Sequence, residues 1–266
     1  MPSVEILKLC TRLEILVRPR YLLGDDLRFE FEADSLPLSS LERLEWWHHN
    51  GASRSGGINS LGAVLRSAPN LRYLFVGGFI ELSSIGTEPI HLHALQTLRL
   101  YLVTRLFIFS RWSLPALTHV VLDLPVVGAW EMFGPQLQTV EFGRHLRFMI
   151  DDHLTPCIEK CPNLRNLNYY LFFTTPPHLS GSHPSLTCVG LHASVNSFLV
   201  EDESIWCHIE THFVLFTKQT FPSLERLRLY GEWRGILSHP HFLPLQHALQ
   251  AQGCIIELPD GRTLPP

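Results

Sequence analysis

A pattern of apolar positions, Leu-x-x-Leu-x-Leu, recurs along the chain. It is carried by Leu41, Leu44 and Trp46; by Leu71, Leu74 and Val76; by Leu95, Leu98 and Leu100; and by Leu117, Val120 and Leu122. It returns at Leu137, Val140 and Phe142, at Leu164, Leu167 and Tyr169, at Leu186, Val189 and Leu191, and at Leu224, Leu227 and Leu229, with a weaker first copy at Leu13 and Leu16. The second and third apolar positions alternate with polar ones, a period of two that predicts a short strand with one buried face. Between several copies the period lengthens to that of a helix. Ile58, Leu61, Val64 and Leu65 predict one that ends at Ala68-Pro69-Asn70, and the stretch from Asp152 through Leu154 and Ile158 to Cys161 predicts another, stopped by Pro162.

Self-similarity at roughly 20–30 residues means a stack of repeats, each burying its apolar side only against its neighbours. The expected fold is therefore an α/β leucine-rich-repeat solenoid, a horseshoe with a parallel inner sheet and outer helices or turns. It is expected to run as a single domain over residues 1–266, with about nine repeats and a C-terminal cap. First leucines are spaced unevenly, by 28, 30, 24, 22, 20, 27, 22 and 38 residues. The short units around Leu95, Leu117 and Leu137 hold too few residues for a full helix, so turns or a 3₁₀ piece are expected on their outer side. The longest unit predicts one long helix between 194 and 217, on the apolar positions Phe198, Ile205, Ile209, Phe213 and Phe216, preceded by an acidic turn at 201–203. At the C-terminus, 242–250 reads as a final helix and 254–258 as a last strand, with a turn at Asp260-Gly261. The N-terminus reads as truncated: 4–10 looks like the outer helix of a repeat whose strand is missing, and a polar covering for the exposed core is not legible.

Composition narrows the function classes. A formal net charge of -4 and no Lys/Arg run argue against a nucleic-acid partner. The most apolar stretch, 98–109, is too short for a membrane span and contains Arg99 and Arg105. No secretory signal opens the chain and its six cysteines are scattered, so reduced thiols in a cytoplasmic or nuclear protein are expected.

The phrases Cys161-Pro-Asn-Leu164, Ala68-Pro-Asn-Leu71, Leu114-Pro-Ala-Leu117, His183-Pro-Ser-Leu186 and Phe221-Pro-Ser-Leu224 resemble the leucine-rich halves of fungal, basidiomycete-type F-box proteins. In that family an N-terminal F-box docks on the adaptor of a cullin-type ubiquitin ligase, and the repeats hold the substrate. The resemblance implies the substrate-holding half only, because no Leu-Pro-x-Glu cluster of an F-box precedes the first repeat. An adaptor would then be reached through a missing upstream F-box.

In such a horseshoe the strand residues between the leucines point to the concave face. These are Arg43, Glu45 and Trp47; Tyr73 and Phe75; Arg99 and Tyr101; His119 and Asp123; Glu141; Asn166, Asn168 and Tyr170; His192; and Arg226, Arg228 and Tyr230. Aromatics and arginines at such positions suit a protein partner, and they equally suit an ordinary sheet surface packed across strands. The spacing of His208 and His212 fits metal ligands on a helix. It lacks the glutamate directly after the first histidine, so a solvated face is expected, and core packing for Cys157 and Cys161. His48-His49, His91/His93 and His239/His241 are placed in turns. No Gly-x-Ser-x-Gly, phosphate-binding loop or GxGxxG is present. The expectation is a non-enzymatic protein-binding scaffold with no cofactor and no metal, acting as F-box-type substrate-recognition repeats. The alternative is a stand-alone regulatory or inhibitor scaffold with no ligase connection.

Overall fold

The structure, a computed structural model, describes residues 10, 12–18, 38–47, 61–78, 89–101, 109–126, 128–194 and 203–265. The chain divides into two compact units, Met1–Met132 and Phe133–Pro266. The fold is mixed α/β, and among the described residues each unit has five parallel main-sheet strands.

In the first unit β1 (Ile15–Arg18), β2 (Arg43–Trp47) and β3 (Tyr73–Gly77) pair in chain order, followed by β5 (Thr97–Tyr101) and β7 (His119–Leu122). The short strands β4 (Ile90–His91) and β6 (Trp112–Ser113) form a separate two-stranded parallel sheet. The register follows the sequence repeat: Leu16, Leu44, Leu74, Leu98 and Val120 align as successive partners across the sheet. The last four of these are fully buried, as are the first leucines Leu41, Leu71, Leu95 and Leu117. A period-two strand sends alternate side chains to opposite faces, so one register column becomes a continuous apolar row. Burying each such leucine contributes about 1.5–3 kcal/mol.

The second unit repeats this with β8 (Thr139–Phe142), β9 (Asn166–Tyr170), β10 (Cys188–Ser194), β11 (Arg226–Glu232) and β12 (Ile255–Glu257). Its row is Val140, Leu167, Val189, Leu227 and Ile256.

The phrase that introduces each strand is a turn. The carbonyls of Leu38, Ala68, Leu92, Leu114, Gly134, Cys161 and Phe221 each accept the N–H of the leucine three residues on. Proline follows five of these residues, at 69, 115, 135, 162 and 222, which is where a type I turn favours it. The asparagine of Pro-Asn-Leu ties one turn to the preceding one. Asn70 Nδ2 donates to the Ser39 carbonyl and Asn163 Nδ2 to the Pro135 carbonyl, both at 2.7 Å.

The outer sides differ from unit to unit. The helix before Ala68-Pro69-Asn70 is α1 (Leu61–Arg66); its expected start at Ile58 lies outside the described residues. The short units before Leu95 and Leu117 carry β4 and β6 there, a small outer sheet that the sequence did not signal. Before Leu137, α2 (Ala129–Phe133) leads into a 3₁₀ turn, Gly134–Gln136. Farther on come α3 (Arg147–Ile150) and α4 (Leu154–Lys160), the expected helix before Pro162.

The helix expected between 194 and 217 is shorter: α5 covers Glu203–Phe213, and 195–202, with most of the acidic turn, lies outside the described residues. Beyond it the Thr217 hydroxyl accepts the Thr220 N–H, a local bond that competes with helix continuation. The chain ends with α6 (Arg234–Leu237), α7 (Phe242–Ala251) and β12. The tail then turns back: Leu264 N–H donates to the Ile256 carbonyl, and Gln246 and Gln250 hold the Pro265 carbonyl. The outer edge of β12 is thereby covered, so at this end the tail supplies the covering. The N-terminal reading of 4–10 falls outside the described residues, apart from Cys10. All six cysteines are free thiols. No helix among the described residues is long and apolar enough to cross a membrane.

Candidate functional site

The face opposite the apolar row carries the residues singled out from alternation. In the first unit Trp47, Gly77 and Tyr101 are register partners on three successive strands. Gly77 has no side chain, so Trp47 leans over it: a Cβ there would lie 2.8 Å from the Trp47 ring and 2.9 Å from Phe75. The indole consequently meets Phe75 at 5.1 Å and Tyr101 at 5.3 Å, both edge to face. Such pairs contribute about 0.5–1.5 kcal/mol beyond burial.

Two arginines flank this cluster. Arg43 lies over the Tyr73 ring at 4.3 Å and holds Glu45 through Nε at 3.0 Å. Arg99 forks onto Asp123 at 2.7 and 3.0 Å and lies 5.7 Å from the Phe75 centroid. Hydrogen bonding to these carboxylates raises the pKa of both guanidiniums. Arg43, Glu45, Trp47, Tyr73, Phe75, Arg99 and Tyr101 together line a shallow depression of about 410 Å³.

Six of these seven keep exposed surface; Phe75 does not. It is 7% exposed, covered by Trp47 and Arg99, so its expected role as a contact residue is corrected to that of floor. His119 stands at the side of the face, with its Nδ1 3.4 Å from the Thr97 hydroxyl.

In the second unit Tyr170, His192 and Tyr230 are register partners on β9, β10 and β11. Their rings stack in a row, with successive centroids 4.7 Å apart. Burial between the two tyrosines lowers the His192 pKa, against the opposing pull of Glu141. Here too a glycine makes room: a Cβ on Gly190 would lie 2.1 Å from Asn168 Oδ1 and 2.8 Å from Tyr230. Asn166 Nδ2 reaches the Thr139 hydroxyl at 3.3 Å. Arg228 and Arg226 share Glu257, at 2.5 and 3.8 Å.

The structure thus sets the residues chosen from the sequence opposite the apolar row, and gathers seven of them around one depression. Three that matter were missed. Gly77 and Gly190 carry the signal of a glycine inside a strand, which marks close approach by a neighbour. Glu257 sits on β12, which has no Leu-x-x-Leu to flag it.

The histidine spacing on α5 has another purpose. His212 is fully buried, which corrects the expectation of a solvated helix face. Its Nδ1 accepts from the Tyr169 hydroxyl at 3.0 Å, and its Nε2 donates to the Thr174 carbonyl at 3.1 Å. His208 Nε2 donates instead to the Leu171 carbonyl at 2.8 Å. The two imidazoles are engaged with separate partners. His239 and His241 pack on Trp206, at 4.3 and 5.4 Å, and His91 stacks on His93 at 6.0 Å. Cys157 and Cys161 are buried, and burial raises the Cys157 thiol pKa well above its ordinary value. His48-His49 lies outside the described residues. Among the described residues no three His, Cys, Asp or Glu side chains converge on a metal position.

The sequence matches no protein-family model and no curated protein at a significant level.

Gly77→Ala is expected to swing the Trp47 indole off its perch while leaving the strand paired, because only side-chain rings stand in the way of the new Cβ. The near-UV circular dichroism should change in the parent and stay constant when the same substitution is made in a Trp47→Phe background.

Proposed function

We propose that the chain is a non-enzymatic leucine-rich-repeat solenoid that holds a protein partner on the open face of its sheet. The observation that carries this reading is the depression in the first unit, where a tryptophan and two tyrosines stand beside two arginines. Trp, Tyr and Arg are the residue types that dominate binding energy at protein interfaces, through large contact area and directed hydrogen bonds. Repeat architecture supports it, because stacked units present an extended surface without needing a pocket.

The role of that surface as the substrate-recognition half of an F-box-type ubiquitin ligase rests on the Pro-Asn-Leu and Pro-Ser-Leu phrases. One observation favours the second reading, a stand-alone regulatory scaffold. The asparagine in those phrases has a structural duty, tying Asn70 to Ser39 and Asn163 to Pro135, so the phrase follows from stacking whatever the partner.

A photo-crosslinking amino acid at Tyr101, compared with one at Glu210 on the exposed side of α5, tests the face. Discrete protein adducts are expected at 101 and not at 210, falling about tenfold or more on Trp47→Ala with the far-UV spectrum unchanged. Equal adducts at both positions would remove the proposal. Co-recovery of a cullin-ligase adaptor supports the ligase role, and adducts without it support the stand-alone scaffold.

A further inference from the structure

Among the described residues, the ion pairs on the open faces share one orientation. Arg43 is 46% exposed while its partner Glu45 is 27% exposed. Arg99 is 43% exposed above Asp123 at 13%. Arg226 and Arg228, at 46% and 41%, lie above a shared Glu257 at 21%. At every pair the carboxylate is tucked toward the sheet and the guanidinium faces outward.

Aromatic rings hold this arrangement in the first unit. Arg43 lies over Tyr73 at 4.3 Å, and Arg99 stands against Phe75. Arg43 gives Nε and Nη2 to the same Glu45 oxygen, so its Nη1 has no hydrogen-bond partner among the described residues. A guanidinium held by one carboxylate and left with an open edge is arranged for a second carboxylate. The two cations also repel one another across Tyr73, and an anion between them relieves that repulsion. Since the whole chain carries a net charge of -4, this attraction is local to the face.

We propose that the open face of the first unit recognises an acidic peptide segment of its protein partner. Carboxylates of the segment meet the outer edges of Arg43 and Arg99, and an aromatic side chain beside them seats on Trp47 and Tyr101. A basic segment would meet outward guanidiniums and be rejected by like charge. This inference rests on the protein-binding reading of the face and adds the chemistry of what is bound.

The probes are a fluorescein-labelled random copolymer of glutamate and tyrosine, the lysine–tyrosine copolymer, and a DNA oligonucleotide of matched charge. Each is titrated with the full chain and read by fluorescence anisotropy. The glutamate–tyrosine copolymer is expected to bind at least about tenfold more tightly than either of the others. Its affinity should fall about tenfold or more between about 50 and about 500 mM salt. A combined Arg43→Gln, Glu45→Gln, Arg99→Gln, Asp123→Asn variant keeps the net charge and the hydrogen-bonding shapes but removes the outward cations. It is expected to weaken copolymer binding about tenfold. Preference for the lysine copolymer, equal binding of the DNA, or a flat salt series on the parent protein overturns the inference. So does unchanged binding by the folded variant. The crosslinking at Tyr101 is read separately. Adducts there alongside any of these failures sink the acidic specificity alone, and their loss sinks the docking face with it.

Discussion

Gly231→Val is expected to destabilise the second unit by about 3 kcal/mol or more, the largest loss from any single surface-strand change. Gly231 lies near the end of β11 with φ +83°, a left-handed conformation that a β-branched residue resists. Its register partner Ala193 approaches from β10, and a Cβ at 231 would stand 2.2 Å from the Ala193 carbonyl oxygen. That oxygen is backbone within a ladder and cannot step aside without breaking pairing. The two costs can be separated. Gly253 has nearly the same φ, +78°, but a Cβ added there would meet nothing within 4 Å. Gly253→Ala therefore carries conformational strain alone, about 1 kcal/mol. Urea unfolding of Gly231→Ala, Gly231→Val and Gly253→Ala should rank them in the order 231 Val, 231 Ala, 253 Ala from most to least destabilised. Equal effects at 231 and 253 would mean that the Ala193 contact is not rigid.

The apolar row was legible in the sequence because it is written locally and repeated. The position of each leucine in its own motif is also its register position in the sheet, so Leu44, Leu74 and Leu98 needed no long-range information to be aligned. The open-face residues followed by alternation. What alternation does not give is depth. Phe75 was expected to offer surface, yet its neighbours on β2 and β5 close over it, and that depends on Gly77 two residues along. The outward tilt of the arginines was likewise illegible, since it depends on which carboxylate lies beneath. Asp123 was on the expected face, whereas Glu257 came from a strand with no motif.

The buried histidine is closer to legible than its spacing suggests. Ile205, Ile209, Phe213 and Phe216 form one helical stripe, and His212 stands three residues after Ile209 on that same stripe. Metal-ligand spacing joins His208 to His212, but the stripe already separates them. The outer sheet of β4 and β6 has no comparable signal, because strands of two residues are too short to show a period.

His212 also sets how the protein responds to acid. A neutral imidazole fits its cavity in one tautomer. The Thr174 carbonyl can only accept, so Nε2 carries the hydrogen and Nδ1 takes the Tyr169 hydroxyl proton in a hydrogen bond. Burial is the main reason its pKa is lowered to about 3, followed by the neighbouring His208, with the Thr174 carbonyl pulling the other way. In the unfolded chain the same imidazole takes up a proton near pH 6.5. Below that value the unfolded state binds a proton that the folded state refuses until about pH 3. Stability is therefore full above about pH 6.5 and is lost progressively as the pH falls toward about 3, by up to about 5 kcal/mol from this residue. His192, also lowered by burial, adds to the loss with the same sign. His212→Gln removes the titration while keeping an amide that can bond to one of the two partners. At about pH 7.5 it is expected to cost about 2 kcal/mol, since the other partner is left buried and unpaired. Between about pH 6.5 and about pH 4 its stability should fall distinctly less steeply than that of the parent. Urea unfolding at a series of pH values from about 7.5 down to about 4 measures both slopes; parallel slopes would show that the acid sensitivity lies elsewhere in the chain.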